Sequence, residues 1–336
     1  YRVDHLSNEE QVLAGARYFQ EKFGPIDRVE SHLEPWLEME AIIRQALGIH
    51  GPKPGDIEFI RKKSRMKEVF RKAVVPAAHG QIVTDVHAAL AFIKGRYPAF
   101  IKPDSGVGAC DTYTIRSEGD LADFFARKQN YPYFLEEYLS GVIESFDGLT
   151  DREGNVVFCT GHVFSNDIHQ VVKNNENLWY YSLRKLPADL ERLGHAVVKA
   201  AEVREKFFHI EFFRLPDGTL RALEINMRPP GGLTTHMFNF ACNIDVYDWW
   251  ASIMAGEAST RLFSREHHCA FVSRKYDRAY ANSTTDLYQR YGDGMVLEQI
   301  MNPIEFAVMG SVGFLVRSPH LDYLKTMIQA IPQEAS

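Results

Sequence analysis

Cysteine is scarce in this chain. Four thiols, Cys110, Cys159, Cys242 and Cys269, stand far apart with no CxxC spacing. That excludes a disulfide frame or a zinc knuckle and indicates reduced thiols in a cytoplasmic setting. No apolar run approaches the ~20 residues that a membrane helix needs, and no signal-peptide pattern opens the chain, so no membrane partner is expected. An excess of positive charge is missing too. Lysine and arginine number 38 against 44 acidic residues, a net charge of −6, and no basic run is interleaved with aromatics. This argues against a nucleic-acid surface. The one dense positive segment, Arg61 to Lys67, reads as a solvated helix face. Internal repeats, low-complexity tracts and a GxxxxGK[ST] phosphate loop are likewise lacking.

What is present is an ordinary globular composition, 45% hydrophobic over 336 residues, enough for two or three packed units. Ser7 to Lys22 predicts an amphipathic helix, with Ser7 as its cap and Glu10 completing a capping box. A short strand-like run near Ile26–Ser31, a helix over about 35–47, a loop at 48–55 and a basic helix over about 57–72 follow. This helix–strand–helix piece has too few strands for an α/β sheet, so an N-terminal part of that domain is expected to lie outside this chain. Beyond Ala99 the texture alternates: strands at 100–102, 112–115, 134–139, 142–149 and 155–164, with helices at 118–127 and 186–207. The last third predicts helices near 245–255 and 320–331 and β runs at 269–275, 295–301 and 311–317. A mixed α+β architecture with antiparallel elements is the expectation.

The most informative stretch runs from Glu211 to Gly232. Two apolar arms flank Pro216-Asp217-Gly218, a hairpin-turn signal. Glu224 follows Glu211 by thirteen positions, so a hairpin centred on Asp217-Gly218 brings the two carboxylates together. Alternation along the returning arm places Glu224, Asn226 and Arg228 on one face. Two carboxylates and an amide oxygen are hard ligands that suit Mg²⁺, and the fork of Arg228 suits a phosphate. Upstream, Lys102 ends an apolar strand and leads into Pro103-Asp104-Ser105-Gly106-Val107-Gly108-Ala109. Glycines there let backbone N–H groups approach an anion, and the lysine adds a point charge.

The order of these parts is more specific than any one of them. Lys63 stands 13 positions before Pro76; then come Lys102 with its glycine loop, the acidic strand Glu136-Glu137-Tyr138-Leu139, Glu144, and Glu211…Glu224-Ile-Asn226-Met-Arg228. That series resembles the ATP-grasp superfamily over nearly the whole chain from Ser7 onward. The resemblance implies an α+β / α/β ATP-grasp fold that holds a nucleotide between two α+β subdomains. It implies a partial N-terminal α/β domain (1–75), a lid subdomain with the glycine loop (76–140) and a C-terminal subdomain with metal and substrate sites (141–336). Lys63 and Lys102 are expected on the ATP phosphates, with Ser105, Gly106 and Gly108 in the loop over them. Glu136, with the backbone of Glu137 and Leu139, is expected at the adenine edge, and Glu144 at a ribose hydroxyl. Glu211, Glu224 and Asn226 are expected to hold two Mg²⁺ ions, with Mn²⁺ able to substitute, and Arg228 to bind the transferring phosphate as the catalytic residue. One departure is Lys62, standing where an acidic residue commonly precedes the first phosphate lysine.

The resemblance further implies an ADP-forming carboxylate–amine ligase working through an acyl phosphate. Pro229-Pro230-Gly231-Gly232 resembles the substrate loop of amino-acid and dipeptide ligases, which places Gly231, Gly232 and His236 near a small carboxylate or amine substrate. A carboxylase using bicarbonate, and a non-catalytic ATP-binding module, are the rival readings. A homodimer is compatible with the resemblance, although no self-complementary stripe stands out. His162 and His169 read as ordinary strand or loop histidines, Trp249-Trp250 as core or interface, and Arg184-Lys185 as a solvated pair.

Overall fold

A computed structural model of the chain describes residues 1–105, 111–165, 168–257 and 261–335; the side chains of 168–170 lie outside it. Gly106, Gly108 and Cys110 are therefore outside the described residues. The chain divides into two compact units, Tyr1–Lys72 with Ala78–Tyr138, and Ala73–Ala77 with Leu139–Ser336. No helix among the described residues is long and apolar enough to cross a membrane.

The first unit contains helices α1 (Glu9–Phe23), α2 (Leu37–Leu47), α3 (Glu58–Arg61) and α4 (Lys63–Lys72). There follow β1 (Gly80–Val83), α5 (Val86–Ile93), β2 (Ala99–Pro103), β3 (Tyr113–Ile115), α6 (Glu118–Arg127) and β4 (Tyr133–Glu137). The four strands form an antiparallel sheet in the order β1-β4-β2-β3. Ala89 and Ile93 of α5 and Leu121 and Phe124 of α6 pack with Val83, Ala99, Ile101 and Leu135 into one core. Strand alternation turns Lys102 and Glu136 to the opposite face.

Several local expectations change here. Helix α1 starts one residue later than expected, because Asn8, not Ser7, takes the extended cap conformation and accepts from the Gln11 N–H at 3.1 Å. The run 26–31 pairs into no strand. Its backbone polar groups are met by α2 instead: Glu40 accepts from the Ser31 N–H, and Arg44 donates to the Val29 carbonyl, each at 2.5 Å. The basic helix is interrupted at Lys62, whose extended backbone forms a β-bridge with Ser105.

The second unit begins with β5 (Val142–Thr150), β6 (Val156–Phe164), α7 (Ile168–Lys173), β7 (Trp179–Ser182), α8 (Ala188–Ala200), β8 (Phe207–Arg214) and β9 (Leu220–Asn226). It continues with α9 (Thr234–Cys242), α10 (Val246–Met254), β10 (His268–Arg274), α11 (Thr284–Tyr291), β11 (Met295–Ile300), α12 (Phe306–Met309), β12 (Val312–Ser318) and α13 (Leu321–Ala330). Eight antiparallel strands lie in the order β11-β12-β10-β7-β6-β5-β8-β9. The helix expected over 186–207 ends at Ala200, since Phe207 already belongs to β8. His169 falls within α7, not in a strand or loop. Trp249 is fully buried in a core with Phe158, Phe238 and Phe271, as its reading as core required. Arg184 is not merely solvated: it donates to the carbonyls of Arg265 and Pro319.

Candidate active site

In the first unit, the interruption at Lys62 has a purpose that the geometry makes visible. The Lys63 N–H donates to the Asp104 carbonyl (2.9 Å), and the Asp104 side chain accepts from Ser64 N–H (2.8 Å) and Ser64 Oγ (3.0 Å). A carboxylate from the end of β2 thus caps α4, where the free N–H groups and the helix dipole favour negative charge. This ties the start of the Lys63 helix to the Lys102–Ser105 segment, forty residues away in sequence. Ser105 itself is exposed.

Glu136 is buried, and two ammonium groups hold it: Lys102 Nζ at 2.7 Å and Lys67 Nζ at 2.8 Å. Burial pushes the carboxyl up, but the charges of Lys102 and Lys67 outweigh it and hold the group down at about 2. Lys67 belongs to the Arg61–Lys67 segment expected to be a solvated helix face, and its pairing with buried Glu136 corrects that expectation. It stands four residues after Lys63, hence on the same side of α4, and that spacing was the available signal. Glu137, beside Glu136, accepts from the His79 N–H at 3.1 Å. Leu139 lies just past β4, as the first residue of the second unit's long segment.

In the second unit the hairpin forms as expected, turning at Gly218 with φ of +82°. Its register holds a detail that alternation alone does not supply. Next to the turn Arg214 pairs with Leu220 and Phe212 with Ala222, but Glu211 pairs with Glu224, so Leu223 is an extra residue in a β-bulge. A regular ladder would set Glu211 opposite Leu223 and turn Glu224 to the other face. The bulge is what puts both carboxylates on one face. Asn226, opposite His209, shares it.

That face fits a hard cation. Asn226 is buried, and its Oδ1 has no hydrogen-bond partner among the described residues. An acceptor of this kind costs free energy unless something donates to it or is ligated by it. With Glu211 and Glu224 beside it, the donor set is all oxygen, as Mg²⁺ prefers. Arg228 lies two residues past β9, half-buried, with its guanidinium donating to the Pro229 carbonyl at 3.0 Å.

Glu144 is not brought together with these ligands. Its neighbour Ser145 pairs with Glu211, so Glu144 points to the opposite face of the sheet. There Arg214 forks onto both of its oxygens (2.9 and 2.8 Å) and also reaches Asp189 of α8 at 2.6 Å.

Gly231 and Gly232, expected in a substrate loop, lead into α9. Gly232 has φ of +62°, a left-handed backbone conformation that favours glycine. Thr234 Oγ1 donates to the Gly231 carbonyl at 2.7 Å and lies 2.7 Å from the Tyr180 hydroxyl. His236, half-buried, meets Tyr247 edge to face at 5.7 Å between ring centres.

A polar cluster missed by the sequence reading lies on the same sheet face as Glu211, Glu224 and Asn226. Asp147 is fully buried. Its Oδ1 meets His209 Nδ1 at 2.5 Å, and its Oδ2 meets His162 Nδ1 at 2.7 Å and Ser145 Oγ at 2.5 Å. His162 is therefore no ordinary strand histidine. Burial raises Asp147, yet the His209 charge and the hydrogen bonds from both rings hold its carboxyl far below the usual range. Burial likewise disfavours a charged ring at His209, but Asp147, and Glu211 after it, push it up to about 10. Elsewhere Cys159, Glu191 and His195 converge in a possible cation-ligand geometry. The Arg265 guanidinium donates to Cys159 Sγ at 3.2 Å, placing a like charge where a cation would sit.

No protein-family model matches the chain. It is 23% identical over 236 residues to an L-arginine-specific L-amino acid ligase of Bacillus subtilis, covering 68% of this chain. The chain spans 57% of that relative's length. Among solved structures, an L-amino acid ligase of Bacillus licheniformis superposes with a TM-score of 0.74 at 15% identity, covering 97% of this chain and 84% of its own. The biotin carboxylase domain of a Hydrogenobacter thermophilus 2-oxoglutarate carboxylase, solved with MgADP and bicarbonate, gives 0.70 at 20% identity, covering 97% and 78%. The chain has the ATP-grasp fold.

Proposed function

We propose that this chain carries an ADP-forming carboxylate–amine ligase acting on small amino-acid-like substrates. One observation supports this most: the bulge that sets Glu211 against Glu224 beside the buried, unpartnered Oδ1 of Asn226. Glu211, Glu224 and Asn226 are the residues for Mg²⁺, which when bound would neutralise phosphate charge. Lys63, Lys102, Ser105, Gly106 and Gly108 serve the phosphates. Glu136, with the backbone of Glu137 and Leu139, serves the base; Glu144, expected at the ribose, faces the other side of the sheet with both oxygens on Arg214 and has no part in this reading. The curated ligase relative favours an amino acid as one substrate.

The chemistry divides into two displacements. An oxygen of the substrate carboxylate attacks the γ-phosphorus of ATP, the bond to the β,γ-bridging oxygen breaks, and ADP leaves. The amine then attacks the acyl carbon, loses a proton, and expels inorganic phosphate. Such transfers need positioning and charge neutralisation more than covalent help. Arg228 steadies the transferring phosphoryl group. Gly231 and Gly232, opening into the N-terminus of α9, offer backbone N–H groups to the carboxylate, and His236 belongs to the same substrate wall.

Acid labelled with heavy oxygen in its carboxylate tests the sequence of steps. Label must appear in the released phosphate, one atom per turnover. Phosphate without label, formed at full rate, would contradict the acyl-phosphate route. ADP release that depends on bicarbonate and needs no amine would instead identify a carboxylase.

A further inference from the structure

Beside the proposed metal ligands, on the same sheet face, the second unit buries three ionisable groups in a row. Asp147 and His162 have no exposed surface, and His209 has very little. Replacing such a buried ionic cluster with apolar side chains of similar size is often neutral or stabilising, so stability alone does not explain it. Its connections do. His209 is the cross-strand partner of both Asp147 on β5 and Asn226 on β9, so on that face it stands between the buried carboxylate and the proposed ligand Asn226. Both Asp147 oxygens are used by ring nitrogens at Nδ1, which fixes how each imidazole is turned. With His209 Nδ1 held in this way, Nε2 is directed outward and lies 3.4 Å from Glu211 Oε1.

We propose that Asp147 and His209 are positioning residues: Asp147 anchors the His209 ring so that Nε2–H holds the Glu211 carboxylate in its metal-binding orientation. This rests on the reading of Glu211, Glu224 and Asn226 as metal ligands. Metal-binding carboxylates are commonly held by outer hydrogen-bond partners whose loss lowers metal affinity about 10–100-fold. Ser145 Oγ, at 2.5 Å from Asp147 Oδ2, and His162 fix the carboxylate from its other side. They keep Asp147 from rotating away from His209.

Two substitutions at one position separate orientation from mere packing. The amide nitrogen of asparagine falls near the Nδ1 position, and that of glutamine near Nε2. His209→Asn keeps the donor to Asp147 and loses the one facing Glu211, whereas His209→Gln does the reverse. Mn²⁺ binding to the full chain with ADP, read by electron paramagnetic resonance, should weaken about tenfold or more in His209→Asn. His209→Gln should lose less, and Asp147→Asn should behave like His209→Asn. Turnover should show a raised KM for Mg²⁺ with a smaller change in kcat. ADP binding without metal, which depends on first-unit lysines, should be unchanged. Folded His209→Asn protein with wild-type Mn²⁺ affinity overturns the inference, and it does so even if Asp147→Asn does not fold. Glu224→Gln is the control. If it loses Mn²⁺ while His209→Asn does not, the positioning role alone fails. If Glu224→Gln also binds Mn²⁺ normally, the metal reading itself fails.

Discussion

Replacing Glu136 with glutamine perturbs the first unit's charge network at its centre. The wild-type carboxylate is buried between Lys102 Nζ at 2.7 Å and Lys67 Nζ at 2.8 Å. Its titration is displaced from 4.5 to about 2. At ~1.4 kcal/mol per pH unit this is about 3 kcal/mol of stability at neutral pH. The folded-state value lies below the unfolded one, so the stabilisation is complete above pH 4.5 and is lost as pH falls toward 2. At pH 3 only about 1.4 kcal/mol should remain. Glutamine carries no charge and leaves two lysines facing each other in a nearly dry site, a loss of the same order as breaking a buried pair, about 3–5 kcal/mol. Urea unfolding of wild type and Glu136→Gln across pH 7 to 3, followed by circular dichroism, reads both quantities. The gap between the two proteins should be about 3 kcal/mol at pH 7 and shrink by more than half at pH 3. Equal stability at pH 7, or a gap that does not change with pH, would refute the assignment of Lys67 and Lys102 as a joint clamp.

Further consequences concern the second unit. Glu224→Gln should bind Mg²⁺ weakly, by calorimetry in the presence of ADP, and should turn over barely at all. Arg228→Ala should bind ATP nearly as wild type yet transfer phosphate about a hundredfold more slowly, or worse; unchanged single-turnover rates would remove Arg228 from the mechanism. Gly232→Ala should cost about 1–3 kcal/mol in urea unfolding, because its φ of +62° strains any residue with a Cβ. Adding Met309→Ala should not recover that cost, since the flexible end of Met309 can move aside; recovery would show that the clash and not the backbone was the cause.

The hairpin that pairs Glu211 with Glu224 was legible because its determinants are local: a turn at Asp217-Gly218 and two glutamates spaced evenly about it. The bulge at Leu223 was not, since it depends on what the partner strand presents. Strands β1 and β7, four residues each, carry too little pattern to be seen before their neighbours are known. The run 26–31 looks like a strand by composition, but strand pairing needs a partner, and Arg44 and Glu40 satisfy its backbone instead. Lys67 was within reach, one helical turn from Lys63. The Asp147 network was not, because its members come from β5, β6 and β8 and meet only when the sheet is ordered. Motif order, by contrast, carried the fold itself: the sequence of Lys102, Glu136 and the Glu211–Arg228 hairpin pointed to ATP-grasp, and the superposition on solved ligases agrees.

The most direct measurement is ADP and phosphate release from Mg²⁺-ATP against paired amino acids and related carboxylic acids, with mass spectrometry of the products. A ligase requires both an acid and an amine for ADP release, and yields a product lighter than their sum by one water. ATP bound with Lys102-dependent affinity but never turned over, in any acid–amine pair, would contradict it.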